Sequence, residues 1–192
     1  MYSPKHDSND RSKPKGLLYY LRDYILIALV ALVFALVIRV FVVQPFLIDK
    51  VSMTPNLIQG DYVLINKYIY RFKEPEIGDI VIFKSPQDNS NLVKRVVAKG
   101  GDHIIITEDG HITLNGKEMS EPYANYGSPD SVTFDTTVQE GEYFMVGDNR
   151  SNSLDSRWFG SVERKKIVGK AFIILLPFSR MGVIRNDLKL QD

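Results

Sequence analysis

The chain has 192 residues, a formal net charge of +1 and no cysteine. That length allows about one folded domain plus a short extra element. The balanced charge argues against nucleic-acid binding, and without cysteine there is no disulfide, zinc–thiolate site or thiol nucleophile.

Residues 1–22 form a basic tail holding Lys5, Arg11, Lys13, Lys15 and Arg22, and its first stretch, 1–16, polar with Pro and Ser, is expected to be disordered. Tyr24 to Ile38 then reads YILIALVALVFALVI without a charge, and the apolar run resumes after Arg39. A membrane helix needs roughly 20 mostly apolar residues. Residues 23–44 meet that need if Arg39 lies near one end, where its side chain can reach the headgroups, and Pro45 is expected to stop the helix. Bulky Phe41, Val42 and Val43 follow the run, not the small residues of a cleavage site, so a retained signal-anchor is expected. Basic residues ahead of the helix put the tail in the cytoplasm and residues 45–192 outside. The expected location is the cytoplasmic membrane, crossed once, with membrane lipid as one partner and nucleic acid excluded.

Beyond the anchor the pattern changes to short β-rich runs at 61–66, 78–83, 92–97, 102–107, 111–114, 142–146 and 167–176, separated by Gly, Pro and Asn-Gly turn signals. No long stretch has helical periodicity. A mainly β domain is predicted, an antiparallel folded-over sheet or open barrel. Residues 103–140 read as a smaller inserted subregion, with Glu121 to Thr137 as loop. Residues 180–192 read as a surface tail.

His6, His103 and His111 sit in no ligand-spaced motif, so neither a metal site nor a Ser-His-Asp triad is expected, and no glycine-rich phosphate loop is present. No cofactor is expected. Asn149-Arg150-Ser151 formally matches a glycosylation acceptor. Ser12-x-x-Lys15 matches a Ser-Lys pattern but lies in the tail without partner motifs. Ser52 and Lys94 remain. A serine hydroxyl needs an adjacent base, and a lysine can serve only when neutral, a state that burial favours. Leu92, Lys94 and Val96 share one strand face, an apolar setting for such an amine. The run Gly147–Gly160 crowds Asp148, Asn149, Arg150, Asn152, Ser153, Asp155, Ser156 and Arg157 between apolar flanks. A dense polar stretch so placed suits a scaffold of fixed hydroxyl and charge partners. Seven residue steps separate Pro45 from Ser52, so Ser52 lies within about 23 Å of the anchor's end. Phe46, Leu47, Trp158 and Phe159 are expected near the membrane interface.

Ser52-Met-Thr-Pro55, Gly78-Asp-Ile-Val-Ile-Phe83, Lys94-Arg-Val-Val97 with Gly101-Asp102, and Gly147-Asp-Asn-Arg-Ser-Asn-Ser-Leu-Asp-Ser-Arg157 together resemble the ordered boxes of bacterial type I signal peptidases, the leader peptidases. Arg39-x-Phe41 is similar to that family's exit from its anchor, and the single anchor and compact insertion look like the Gram-positive branch. The resemblance covers about residues 20–177. It implies a Ser/Lys-dyad endopeptidase that removes signal peptides from secretory preproteins after small residues at −1 and −3. It makes Ser52 the nucleophile and Lys94 the base. Ser153 would hydrogen-bond and orient Lys94, and Arg95, Asp148, Asp155 and Arg157 would form a supporting ion-pair network. The Ser52 backbone N–H would donate to the oxyanion. Ile48, Met53, Leu57 and Val93 would line the substrate pockets.

Three departures stand out. Lys50 occupies a position where the family usually has Gly or Ser; the Ser hydroxyl completes the oxyanion hole, and one such donor is worth about 10²–10³ in rate. Asn56 replaces the usual Thr after Pro55. Ala98 and Gly100 stand where Gly and Pro are common. Two alternatives stay open at this point: a self-cleaving repressor-type Ser/Lys protease, and an inactive or atypical paralogue acting as a membrane-anchored binding or adaptor protein.

Overall fold

The computed structural model describes residues 17–41, 43–126, 133–186 and 188–190. The expected disorder of the tail falls on residues 1–16, which lie outside the described residues. Residues 1–38 and 39–192 form two separate compact units.

The first unit carries helix α1 (Leu17–Phe41). It begins before residue 23 and ends before Pro45, so it is displaced from the expected 23–44. The displacement arises because Val43 opens a strand, β1 (Val43–Leu47), and Pro45 lies within it. As β1 is an edge strand, the missing Pro N–H is tolerated. From Tyr24 to Phe34 the apolar side chains of α1 are exposed. Among the described residues no helix is long and apolar enough to cross a membrane.

The second unit is mainly β, and its strand pairs are antiparallel. In chain order after β1 come β2 (Tyr62–Asn66), β3 (Ile80–Lys84), β4 (Asn91–Lys99), β5 (His103–Ile106), β6 (Ile112–Leu114), β7 (Lys117–Ser120), β8 (Phe134–Thr137) and β9 (Glu142–Val146). There follow the one-turn helix α2 (Ser156–Phe159), then β10 (Val162–Glu163), β11 (Ile167–Leu176), β12 (Gly182–Val183) and β13 (Lys189–Leu190). The larger sheet runs β1-β2-β11-β3-β4-β9-β10 with β12 against β11; the smaller runs β13-β7-β6-β5-β8.

Alternation explains how the larger sheet is covered on both faces. In β3, Ile80 and Ile82 pack with Ile48, Met53, Leu57 and Val93, while Val81 and Phe83 pack with Leu92, Val96 and Met145. A third cluster joins the sheets: Val97, Ala98, Phe144 and Val146 meet Ile104, Ile106, Ile112, Leu114 and Met119. Strand β4 is therefore buried from Leu92 to Ala98, which accounts for its nearly unbroken apolar sequence around Lys94 and Arg95.

Residues 180–192 are not a free surface tail in their described part. Strand β12 pairs with β11 and β13 with β7, Leu188 packs against the core between the sheets, and Arg180 bonds Asp61. The stretch expected as loop also holds strand β8, residues Phe134–Thr137; residues 127–132 of it lie outside the described residues.

Gly169 lets β11 lie close to β2. A Cβ there would sit 2.6 Å from the Asn66 carbonyl oxygen and 2.7 Å from Ile65 Cγ2. Gly169→Ala is expected to push the two strands apart and cost about 1–3 kcal/mol of stability, measured by urea unfolding followed through the fluorescence of Trp158.

Candidate active site

The segment leaving β1 is fixed before it reaches Ser52. Ile48 N–H donates to Asp61 O at 2.8 Å, Gly60 N–H donates to Ile48 O at 2.8 Å, and Leu57 N–H returns to Met53 O at 2.9 Å. Ile48, Met53 and Leu57 are buried, so apolar anchors stand on both sides of the serine. The lysine comes from the central strand. Lys94 pairs with Val81 of β3, and its neighbour Arg95 with Val146 of β9.

Adjacent strand residues point to opposite faces, and these two go to different partners. Lys94 is 2% exposed. Its Nζ donates to Ser52 Oγ at 2.8 Å and to the Val93 carbonyl at 2.9 Å. Burial lowers the Lys94 pKa to about 8; Asp155 and Asp148 pull it up, Lys50 and Arg157 push it down. At pH 7 roughly a tenth of the molecules then carry a neutral amine, against well under one in a thousand for a solvated lysine.

Arg95 forms a two-bond pair with Asp148, Nε to Oδ1 at 2.8 Å and Nη2 to Oδ2 at 2.7 Å, and its Nη1 donates to Gly78 O. Asp155 caps α2 by accepting from Arg157 N–H. It also accepts from the Arg157 guanidinium at 2.9 and 3.0 Å and from Gly147 N–H at 3.0 Å. The loop after β9 closes directly on the serine: Asn149 N–H donates to Ser52 O at 3.0 Å. Gly147 permits that approach, since a Cβ there would lie 2.6 Å from Ser52 O and closer still to Ser153 Oγ.

Ser153 lies against Gly147 and Ser52, yet its Oγ is buried and has no hydrogen-bond partner among the described residues. The expected bond to Lys94 is not formed; the amine donates to Ser52 and to the backbone of Val93. Ile48, Met53 and Val93 line a hollow beside Ser52 and Lys94, together with Phe46, Leu92 and Asn91. Leu57 does not reach it: the side chain is fully buried in the core beneath. Of the expected interfacial residues, Leu47 and Trp158 are exposed, while Phe159 packs against Phe83 with ring centroids 6.1 Å apart.

Asn56 and Arg150 had no assigned partners in the sequence reading, and Glu121 and Tyr123 had no assigned role. Asn56 donates to Asp148 Oδ2 at 2.8 Å and to Tyr123 O at 3.0 Å, joining the turn after Ser52 to the charge network. Arg150 forms a buried two-bond pair with Glu121 and donates to Gly110 O. Tyr123 donates to Glu121 and lies under Arg95, whose Cζ is 3.8 Å from the ring centroid. Charge counting could not have pointed to Glu121, because the quoted boxes already hold Asp79, Asp102, Asp148 and Asp155 against Arg95, Arg150 and Arg157. His103 and His111 lie apart, the first bonded to Asp135 and the second stacked on Tyr126. Among the described residues no group of three or more His, Asp or Glu side chains could hold a metal ion.

A hydroxyl in hydrogen-bond contact with a desolvated amine is an arrangement able to generate an alkoxide-like nucleophile. The family described as "Signal peptidase, peptidase S26" matches residues 21–176. The chain belongs to this signal peptidase family, S26. A probable signal peptidase I-2 from Synechocystis is 34% identical over 164 residues, covering 82% of this chain and 74% of its own. Signal peptidase I from Bacillus licheniformis is 33% identical over 169 residues, covering 83% and 90%. A solved signal peptidase I from Enterococcus faecalis is 31% identical and spans 51% of this chain and 97% of its own, with a TM-score of 0.45. Membership makes the chain a serine peptidase.

The S26 charge network is buried enough to be tested by stability. Arg95→Met leaves the Asp148 carboxylate with one side-chain partner, Asn56, and is expected to cost about 3–5 kcal/mol. The double variant Arg95→Met/Asp148→Leu, which removes the orphaned charge, is expected to be more stable than the single one, measured by equilibrium unfolding of both.

Proposed function

We propose that the chain is a membrane-anchored serine endopeptidase that removes N-terminal signal peptides from exported preproteins after small residues at −1 and −3. The observation that carries this reading is the 2.8 Å contact between Ser52 Oγ and the desolvated Lys94 amine. The names of the relatives supply the class of substrate.

Neutral Lys94 accepts the Ser52 proton as Oγ attacks the scissile carbonyl. The carbonyl oxygen gains charge and is received by the Ser52 backbone N–H, which has no intramolecular acceptor among the described residues. The new ammonium returns its proton to the leaving amine, and in the second half-reaction Lys94 activates the water that hydrolyses the acyl-enzyme. An ammonium has three N–H donors, and among the described residues two acceptors bond Lys94. The buried, unpartnered Ser153 hydroxyl is the proposed third, so its contribution begins when the proton moves. Arg95, Asp148, Asp155 and Arg157 fix the loop around the pair. Ile48, Met53 and Val93 make a shallow apolar hollow that suits small side chains. Residues 23–44 are the proposed anchor, with the basic tail inside and the β domain outside.

The purified protein in detergent is expected to cut a preprotein after an Ala-x-Ala site, with Ser52→Ala and Lys94→Ala each abolishing cleavage. Wild-type cleavage no faster than either variant overturns the reading. Because Lys94 acts only when neutral, protonation on acidification removes the base. The value of kcat/KM should fall about tenfold per pH unit well below a midpoint near 8, as read from its pH profile.

A further inference from the structure

Lys50 is exposed on the segment between β1 and Ser52. Two hollows meet at the Ser52–Lys94 pair, and Lys50 lines both. One is bounded by Phe46, Ile48, Met53 and Val93, the other by Val51, Asn152 and Leu154. Asp49 lines both as well, but among the described residues no ion pair joins Asp49 or any other carboxylate to Lys50.

The remaining charges that act on Lys94 are already paired. Asp155, ahead of α2, is bound by Arg157, and Asp148, after β9, by Arg95. Asp155 still favours the Lys94 ammonium more strongly than Arg157 opposes it. Lys50 presents an uncompensated cation, and its field disfavours the Lys94 ammonium.

We propose that Lys50 is a positioning residue for the Ser52–Lys94 pair: its ammonium at the mouth of the groove opposes a second positive charge on Lys94 and keeps more of the protein in the form with a free base. The inference rests on the dyad of the proposed function. A Ser hydroxyl here would act on the oxyanion; the Lys50 cation acts one step earlier, on the base.

The test follows Lys94 directly. Full-length protein in detergent micelles, carrying ¹³C at lysine Cε, is titrated by NMR as wild type, Lys50→Gln and Lys50→Arg. The Lys94 signal is assigned by its loss in Lys94→Met. In parallel, the acid limb of kcat/KM is measured on an Ala-x-Ala peptide. Lys94 in Lys50→Gln should titrate about 0.3–1 pH unit higher than in wild type, the size expected of one partly solvated charge several ångströms away. The acid limb should move with it, and Lys50→Arg should stay with wild type. Raising salt from about 0.05 to about 0.5 M should move the wild-type titration toward that of Lys50→Gln, because an exposed charge is screened, and leave Lys50→Gln in place. An identical Lys94 titration in wild type and Lys50→Gln overturns the inference, even where cleavage is normal. A shifted titration in a protein that cleaves nothing overturns the proposed function instead and leaves the coupling standing.

Discussion

An amine taken out of water is the constraint on which the rest of the site depends. Lys94 has 2% of its surface exposed and, among the described residues, hydrogen-bonds no carboxylate but the Ser52 hydroxyl and a backbone carbonyl. A carboxylate bonded to it would fix it as an ammonium and remove its use as a base. Asp148 and Asp155 are near enough to be felt, and each is held by its own arginine through two bonds. The arginines thereby protect the proposed base from the acids that the loop after β9 brings in.

Those ion pairs are better understood as geometry than as net stability. Burying a charge costs several kcal/mol even in a good pair. Here the remaining valences are filled by backbone: Gly78 O for Arg95, Gly110 O for Arg150 and Arg150 O for Arg157. The network joins three stretches distant in sequence, the turn after Ser52 through Asn56, the smaller-sheet segment through Glu121 and Tyr123, and the loop after β9. Gly147 lets these close on one another without a side chain between them.

Much of this was legible in the sequence because it is locally encoded. Period-two alternation marked the strands, and the polar box between Val146 and Trp158 marked the scaffold. The pairing of Arg150 with Glu121 and of Arg180 with Asp61 was not legible, since a lone acid in a polar stretch looks the same whether it meets water or a buried guanidinium. Residues 180–190 looked like a tail for the same reason: two-residue strands carry no periodicity to detect. Leu57 matched a pocket position in the boxes, but the turn from Met53 to Leu57 sends its side chain into the core. The end of α1 was misplaced because Pro45 is as much at home in an edge strand as after a helix.

Arg180 donates to Asp61 and to the Asn56 carbonyl, across 119 and 124 residues of chain. Asn56 in turn holds Asp148. The serine-bearing turn is thus braced from a part of the chain that is synthesised long after Ser52 and Lys94. Contacts of such sequence separation form late, because the intervening loop entropy must be overcome first. A partly made chain can hold both the hydroxyl and the amine and still lack the brace that fixes the turn between them, so geometric maturity of the site is tied to the completion of its host domain.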